Sequence, residues 1–185
     1  MEIKVLFGGL CRQATGKNRP AQRRNKREGA AAVEFALVGL PFFMLILAIF
    51  EVALMLSVNS MLDNAVVSSA RLVRTGQVGN QMTQQEFVDE VCSRMVLITT
   101  NCKDRLSVDV RPVASFTPIA PPAIINGEFD DSELGFNPGA SRSLMLVRVW
   151  YQYPIVSPFM QQAMSKLANG TYLMHSTSAF RNEPY

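Results

Sequence analysis

Gly29–Val58 reads GAAAVEFALVGLPFFMLILAIFEVALMLSV, and its character decides the architecture. Phe35–Phe50 is sixteen residues without a charge. As an α-helix rising about 1.5 Å per residue it is roughly 24 Å long, slightly short of the roughly 30 Å hydrocarbon core of a bilayer. Val52–Leu56 makes it long enough, provided Glu51 sits near a membrane surface. A helix in a soluble core rarely stays apolar on all sides for so long, so the stretch reads as a transmembrane helix. Pro41 falls inside it. Membrane helices accept proline more readily than soluble ones, so a local kink is expected there.

Charge orients the span. The 185 residues carry a net charge of +3, an average over two unlike parts. Residues 1–28 hold eight Lys or Arg against Glu2 and Glu28, a net of +6, and the other 157 residues carry a net of −3. Arg23, Arg24, Lys26 and Arg27 directly precede the span, whereas residues 59–75 hold only Arg71 and Arg74 as basic groups. The positive-inside rule places the N-terminal segment in the cytoplasm and the C-terminal part outside. The basic segment lacks interleaved aromatic residues and abuts the span, so topology and anionic headgroups explain it better than nucleic acid.

Composition narrows the class further. With 48% hydrophobic and 18% charged residues, the chain is not a disordered one. Three cysteines exclude a dense disulfide scaffold, and a single histidine disfavours a multi-histidine metal site. A cleaved signal peptide needs small residues just after a short apolar core, but Ser68 and Ala70 lie too far beyond it. Cys11 does not suit lipoprotein processing, because Leu10 before it is not small and no long apolar core precedes it. Gly9–Lys17 has neither the glycine spacing nor the Ser or Thr of a phosphate-binding loop.

Six residues separate Arg27 from Glu34, which stands immediately before Phe35 and the span. A carboxylate entering a membrane costs a few kcal/mol and needs a partner or a purpose. If the bond after Gly29 were cut, Ala30 would carry a new positive amine and Glu34 would be the fifth residue. In a helical stack of such subunits Glu34 of one chain could pair with the amine of another, which would offset both burial costs and set the register. The alternative is an interfacial glutamate that snorkels into the headgroups. Spacing alone leaves both open.

The run RRNKREGAAAVEFALVGLPFFMLILAIFE, Arg23–Glu51, resembles the processing region of tight-adherence (Tad/Flp) pilus proteins, with Asn25, Lys26 and Arg27 inserted between the arginines and Glu28. It is most similar to the TadE-like pseudopilins. The resemblance covers about residues 23–76, weakens over 86–110 and is absent over 112–143. It implies cleavage between Gly29 and Ala30 by a prepilin peptidase, with Glu34 and Phe35 in the recognition position. Glu51, the second carboxylate of the span, also matches a carboxylate common in such sequences. It lies 17 residues after Glu34, roughly 26 Å along a helix, so the two fall near opposite faces of a bilayer. Glu51 reads either as an ordinary interfacial charge or as a pairing group in assembly.

Beyond the membrane the helix is expected to continue as a stalk. Leu54, Val58, Leu62, Ala65, Ser69 and Leu72 recur at three- and four-residue spacing, and Gly76 is placed to stop it. Thr83 with Glu86 is a capping-box signature for a second helix, with Phe87, Val91, Met95 and Val96 on its apolar face and its end near Ile98. Cys92 lies on that helix and Cys102 follows it. In an oxidising compartment the pair can close a small loop; two separate buried thiols, or half of a zinc site with His175, are the alternatives. Similar cysteine pairs in TadE-like proteins favour the bridge.

Leu106–Val113, Leu144–Val156 and Tyr172–Phe180 read as strands, and Ser157–Leu167, with Pro158 at its start, as a short helix between the last two. Asn169–Gly170 supplies a turn. The expected fold is α+β: a long N-terminal transmembrane and stalk helix with a small, mainly antiparallel sheet domain, an arrangement that pilin-like proteins share. The expected organisation is a basic cytoplasmic leader at 1–29, a transmembrane helix at 30–56, a helical stalk at 57–76 and a periplasmic α+β domain at 77–185. Within that domain 112–143 is a Pro/Gly-rich acidic loop with four acids in GEFDDSELG. Its spacing is not that of a helix-loop-helix calcium site, and it reads as a solvated surface loop.

No G-x-S-x-G turn, H-E-x-x-H helix or phosphate loop accompanies His175, so a satisfied or exposed histidine is the better reading and no catalytic residue, metal or cofactor is expected. The expected function is that of a pseudopilin or minor pilin in the bacterial inner membrane, trimmed by a prepilin peptidase and acting in assembly of a Tad/Flp-type pilus. Its expected partners are that peptidase, other pilins and pseudopilins, components of the Tad assembly machine, and the inner membrane, with no nucleic acid. Entry into the extracellular fibre stays open. The alternative is an uncleaved single-pass periplasmic binding or sensor domain, in which Gly29 and Glu34 would be replaceable; a membrane-tethered hydrolase using His175 is a third.

Overall fold

The computed structural model of the chain describes residues 26–77, 82–95, 101–115 and 120–184. Helix α1 runs from Lys26 to Arg74 and continues through Pro41, whose ring nitrogen has no hydrogen to offer the carbonyl one turn earlier. The chain forms two compact units, Met1–Pro41 and Phe42–Tyr185. In the first, the described part is helical, and its side chains from Gly29 to Val38 are exposed.

In the second unit α1 changes character at Glu51. Phe42, Phe43, Leu45, Leu47, Ile49 and Phe50 are apolar and exposed. From Glu51 onward one face is buried, through Met55, Val58, Leu62, Ala65, Val66, Ser69, Ala70 and Val73. The steps of three and four residues are those of a helix with one face against a core. Two expected members of the stripe are corrected. Leu54 is 43% exposed and Leu72 is half-buried, and Met55 and Val73 take those places. Both choices satisfy the same periodicity, and only the position of the sheet decides between them. Gly76, at φ 63, follows the helix, and its N–H donates to the Val73 carbonyl.

Helix α2 (Gln84–Arg94) begins with the Thr83–Glu86 capping box, both reciprocal bonds being present. It ends earlier than periodicity suggests, since the Met95 N–H turns back to the Cys92 carbonyl; Ile98 lies outside the described residues. A short helix α3 (Cys102–Arg105) leads into strand β1 (Leu106–Pro112). Two-residue strands β2 (Ile124–Ile125) and β3 (Glu128–Phe129) follow, then β4 (Leu144–Pro154), helix α4 (Pro158–Met164) and β5 (Thr171–Arg181).

β1, β4 and β5 form one antiparallel sheet in the order β1-β4-β5, so the α+β expectation holds. Its register puts Val108 opposite Val149 and Tyr151 opposite Met174. These buried side chains share one core with the α1 stripe and with Phe87, Val91 and Met95. Alternate residues, among them Asp109, Arg148, Trp150 and His175, lie on the other face of the sheet. At the end of the chain Glu183 donates its N–H to the Arg74 carbonyl and faces the Arg74 side chain, joining the tail to the end of α1.

Two further expectations are corrected. α4 stops at Met164 because Ser165 is extended; Leu167 is buried in the following turn instead of being helical. The stretch Ser115–Ser143 is not loop throughout. Asn126 and Gly127, both at positive φ, turn β2 back onto β3 as a small hairpin.

Candidate functional site

The functional residues expected from the sequence lie along α1 and at the start of the outer domain. Gly29, Ala30, Glu34 and Phe35 are all helical and exposed. A Cβ on Gly29 would meet nothing within 4 Å, so packing does not require glycine there. Ala30 and Glu34, four positions apart, lie on the same side of the helix. The Gly29–Ala30 bond lies within the described part of α1.

Glu51 has a different setting. It is 4% exposed. Its carboxylate accepts the Val156 N–H at 2.6 Å and the Ser157 N–H at 3.2 Å to each oxygen. The two donors belong to the turn between β4 and α4. A buried carboxylate is costly unless hydrogen-bonded, and two amides meet that need within the same chain. The phenol of Tyr153 is pushed above its ordinary value of 10.0, first by burial and then by the negative charge of Glu51. The sequence weighed an interfacial charge against an assembly contact; the carboxylate's bonds in this chain clasp α1 to the sheet domain.

Cys92 Sγ and Cys102 Sγ are joined, with their Cα atoms 5.8 Å apart, tying α2 to α3. His175 is exposed on the outer sheet face, opposite Trp150. Among the described residues no group of three or more His, Cys, Asp or Glu is placed to hold a metal ion.

Sequence reasoning missed the polar centre of the domain. Asp109 is fully buried and stands opposite Arg148 in the β1–β4 register. Arg148 donates to Asp109 Oδ2 from Nε at 3.0 Å and from Nη2 at 2.7 Å, and its Nη1 donates to the Ala120 carbonyl. Asp109 Oδ1 accepts from Arg111 and from the Gly135 N–H, while Arg111 reaches the Glu133 carbonyl. One carboxylate and two guanidinium groups thus bind the Pro/Gly-rich segment to the sheet. The available signal was the alternation itself: Asp109 and Arg111 fall on the polar face of β1, as Arg148 does on β4, and two such strands side by side invite a charge pair.

Among the described residues one helix is long and apolar enough to cross a membrane, and it leads into a small antiparallel sheet domain. That combination suggests a membrane anchor joined to an α+β domain. Residues 29–71 match the family model described as TadE-like protein. The chain therefore carries a TadE-like segment, which implies a protein associated with Tad pili. The chain matches no curated protein and no solved structure.

Proposed function

We propose that the chain is a pseudopilin or minor pilin of a Tad/Flp-type system, made as a precursor and trimmed between Gly29 and Ala30 by a prepilin peptidase. The observation that carries this is where the family match begins: at Gly29, beside the proposed cut, continuing through Glu34, Phe35 and Glu51. The basic leader stays in the cytoplasm, residues 30–56 cross the inner membrane, and the sheet domain works in the periplasm. The outer end of that span is shared, because one side of α1 is covered by the domain from Glu51 onward while Phe50, Val52, Leu54 and Leu56 remain exposed.

Cleavage supplies the chemistry of assembly. It leaves a protonated amine on Ala30, one helical turn from Glu34. In a bundle of spans that amine and a neighbour's Glu34 offset each other's burial and fix the axial register. Other pilins, pseudopilins and the assembly machine are the partners, and the protein is a substrate of the peptidase, with no catalytic or cofactor role of its own.

N-terminal sequencing of the membrane-bound protein from cells with an active prepilin peptidase tests the processing. A start at Ala30 is expected; a start at Met1 or elsewhere overturns it. Gly29 substitutions should abolish trimming, and Glu34→Ala should abolish pilus assembly. An uncleaved periplasmic binding domain would tolerate both changes.

A further inference from the structure

The turn that caps Glu51 also presents an apolar foot. Val156 is 77% exposed, the most exposed large apolar side chain among the described residues, while its neighbour Ile155 is buried at 3%. Pro154 and Pro158 on either side are exposed too. The turn is held in place: the Val156 N–H is bonded to Glu51, the Ile155 carbonyl accepts from Gln161 Nε2 at 2.7 Å, and the Ser157 carbonyl accepts from Met160 and Gln161. The 2.6 Å bond fixes the level of Val156 along α1 at Glu51, one turn beyond Ala48, which already packs against the core. Around that level α1 exposes Phe50, Val52 and Leu54. Charge agrees with this placement. The seventeen residues Val149–Ser165 contain no Asp, Glu, Lys or Arg.

We propose that Pro154–Pro158 is a second membrane contact, with Val156 entering the interface of the leaflet from which the domain emerges. The occupant is the lipid surface beside the span. The inference rests on residues 30–56 being membrane-spanning. With two points of contact, α1 and the foot, the domain keeps one face toward the bilayer instead of swivelling about the helix. An exposed valine between two prolines suits shallow insertion, because the prolines have no N–H to leave unpaired in a dry environment.

The test uses the full chain with Cys11→Ser, reconstituted in phosphatidylethanolamine–phosphatidylglycerol nanodiscs. Single extra cysteines carry an environment-sensitive fluorophore at Val156→Cys, at Leu45→Cys within the span, and at Val67→Cys and Ile125→Cys, exposed apolar positions elsewhere. Quenching by shallow spin-labelled lipid should be at least threefold stronger at position 156 than at 67 or 125. Deep-labelled lipid should quench position 45. Quenching at 45, with 156 behaving like 67 and 125, overturns the foot and leaves the span standing. No quenching at 45 overturns the span and the foot with it.

Discussion

Asp109 has no exposed surface, yet it accepts hydrogen bonds from two arginines and a backbone amide. Removing it strands Arg148, itself 8% exposed. Breaking a buried pair from one side costs about 3–5 kcal/mol, because the remaining charge keeps its desolvation penalty without compensation. Asp109→Ala should lose about that much stability in denaturant unfolding of the full chain in detergent, and Asp109→Leu with Arg148→Met should recover most of the loss. Glu51 poses the same question next to the span, and Tyr153 reports on it. Its phenol lies above 10.0 through burial first and Glu51 second. The folded state therefore holds the phenolic proton more tightly than the unfolded one. The contribution to stability is complete below about pH 10, the unfolded value, and is lost as pH rises from there through the folded value. In an alkaline titration followed by phenolate absorbance, Glu51→Gln should lower the Tyr153 transition but leave it above the ordinary value, since burial persists. An unchanged transition would mean that Glu51 does not act on the Tyr153 phenol.

Among the elements, α2 and α3 depend most on a covalent tie. The Cys92–Cys102 bridge, at a sequence separation of 10, closes a loop between a helix of 11 residues and one of 4. A loop of that size restricts the unfolded chain by about 3 kcal/mol. Cys92→Ser with Cys102→Ser, or a reductant, should lower unfolding stability by about that amount, and reductant should have no further effect on the double variant. The elements also show what a sequence discloses. α2 was legible down to its cap, because Thr83 and Glu86 act locally, and the three long strands emerged from alternation within one or two residues of their ends. The α1 stripe was legible in period but not in phase at Leu54 and Leu72, since a sheet that is remote in sequence chooses the face. The β2–β3 hairpin escaped because two-residue strands have no period, although Asn126–Gly127 was a usable turn signal. The clasp on Glu51 was not legible at all: its donors are backbone amides more than a hundred residues away, and every residue type except proline carries one.

The whole molecule is divided by charge, +6 in residues 1–28 and −3 in the rest, and the division falls where the apolar helix begins. In the proposed precursor the positive part orients the chain and is then removed, so the working protein retains only the negative balance. Orientation should therefore depend on the leader and on little else, because Arg71 and Arg74 are the only basic residues in the 59–75 segment beyond the span. Replacing Arg23, Arg24, Lys26 and Arg27 with glutamine removes four of the eight leader cations. A mixed population should follow, with part of the protein inserted the other way round. Two independent readouts should then agree. Protease added to spheroplasts digests only domains on the outer side, and Cys92–Cys102 oxidises only in a compartment that permits disulfides. The fraction of chains digested should equal the fraction carrying the bridge, close to all for the parent and clearly less for the variant. If the domain stays wholly outside after the four replacements, the leader does not set the topology. If digestion and oxidation part company, the bridge forms independently of the compartment that the domain occupies.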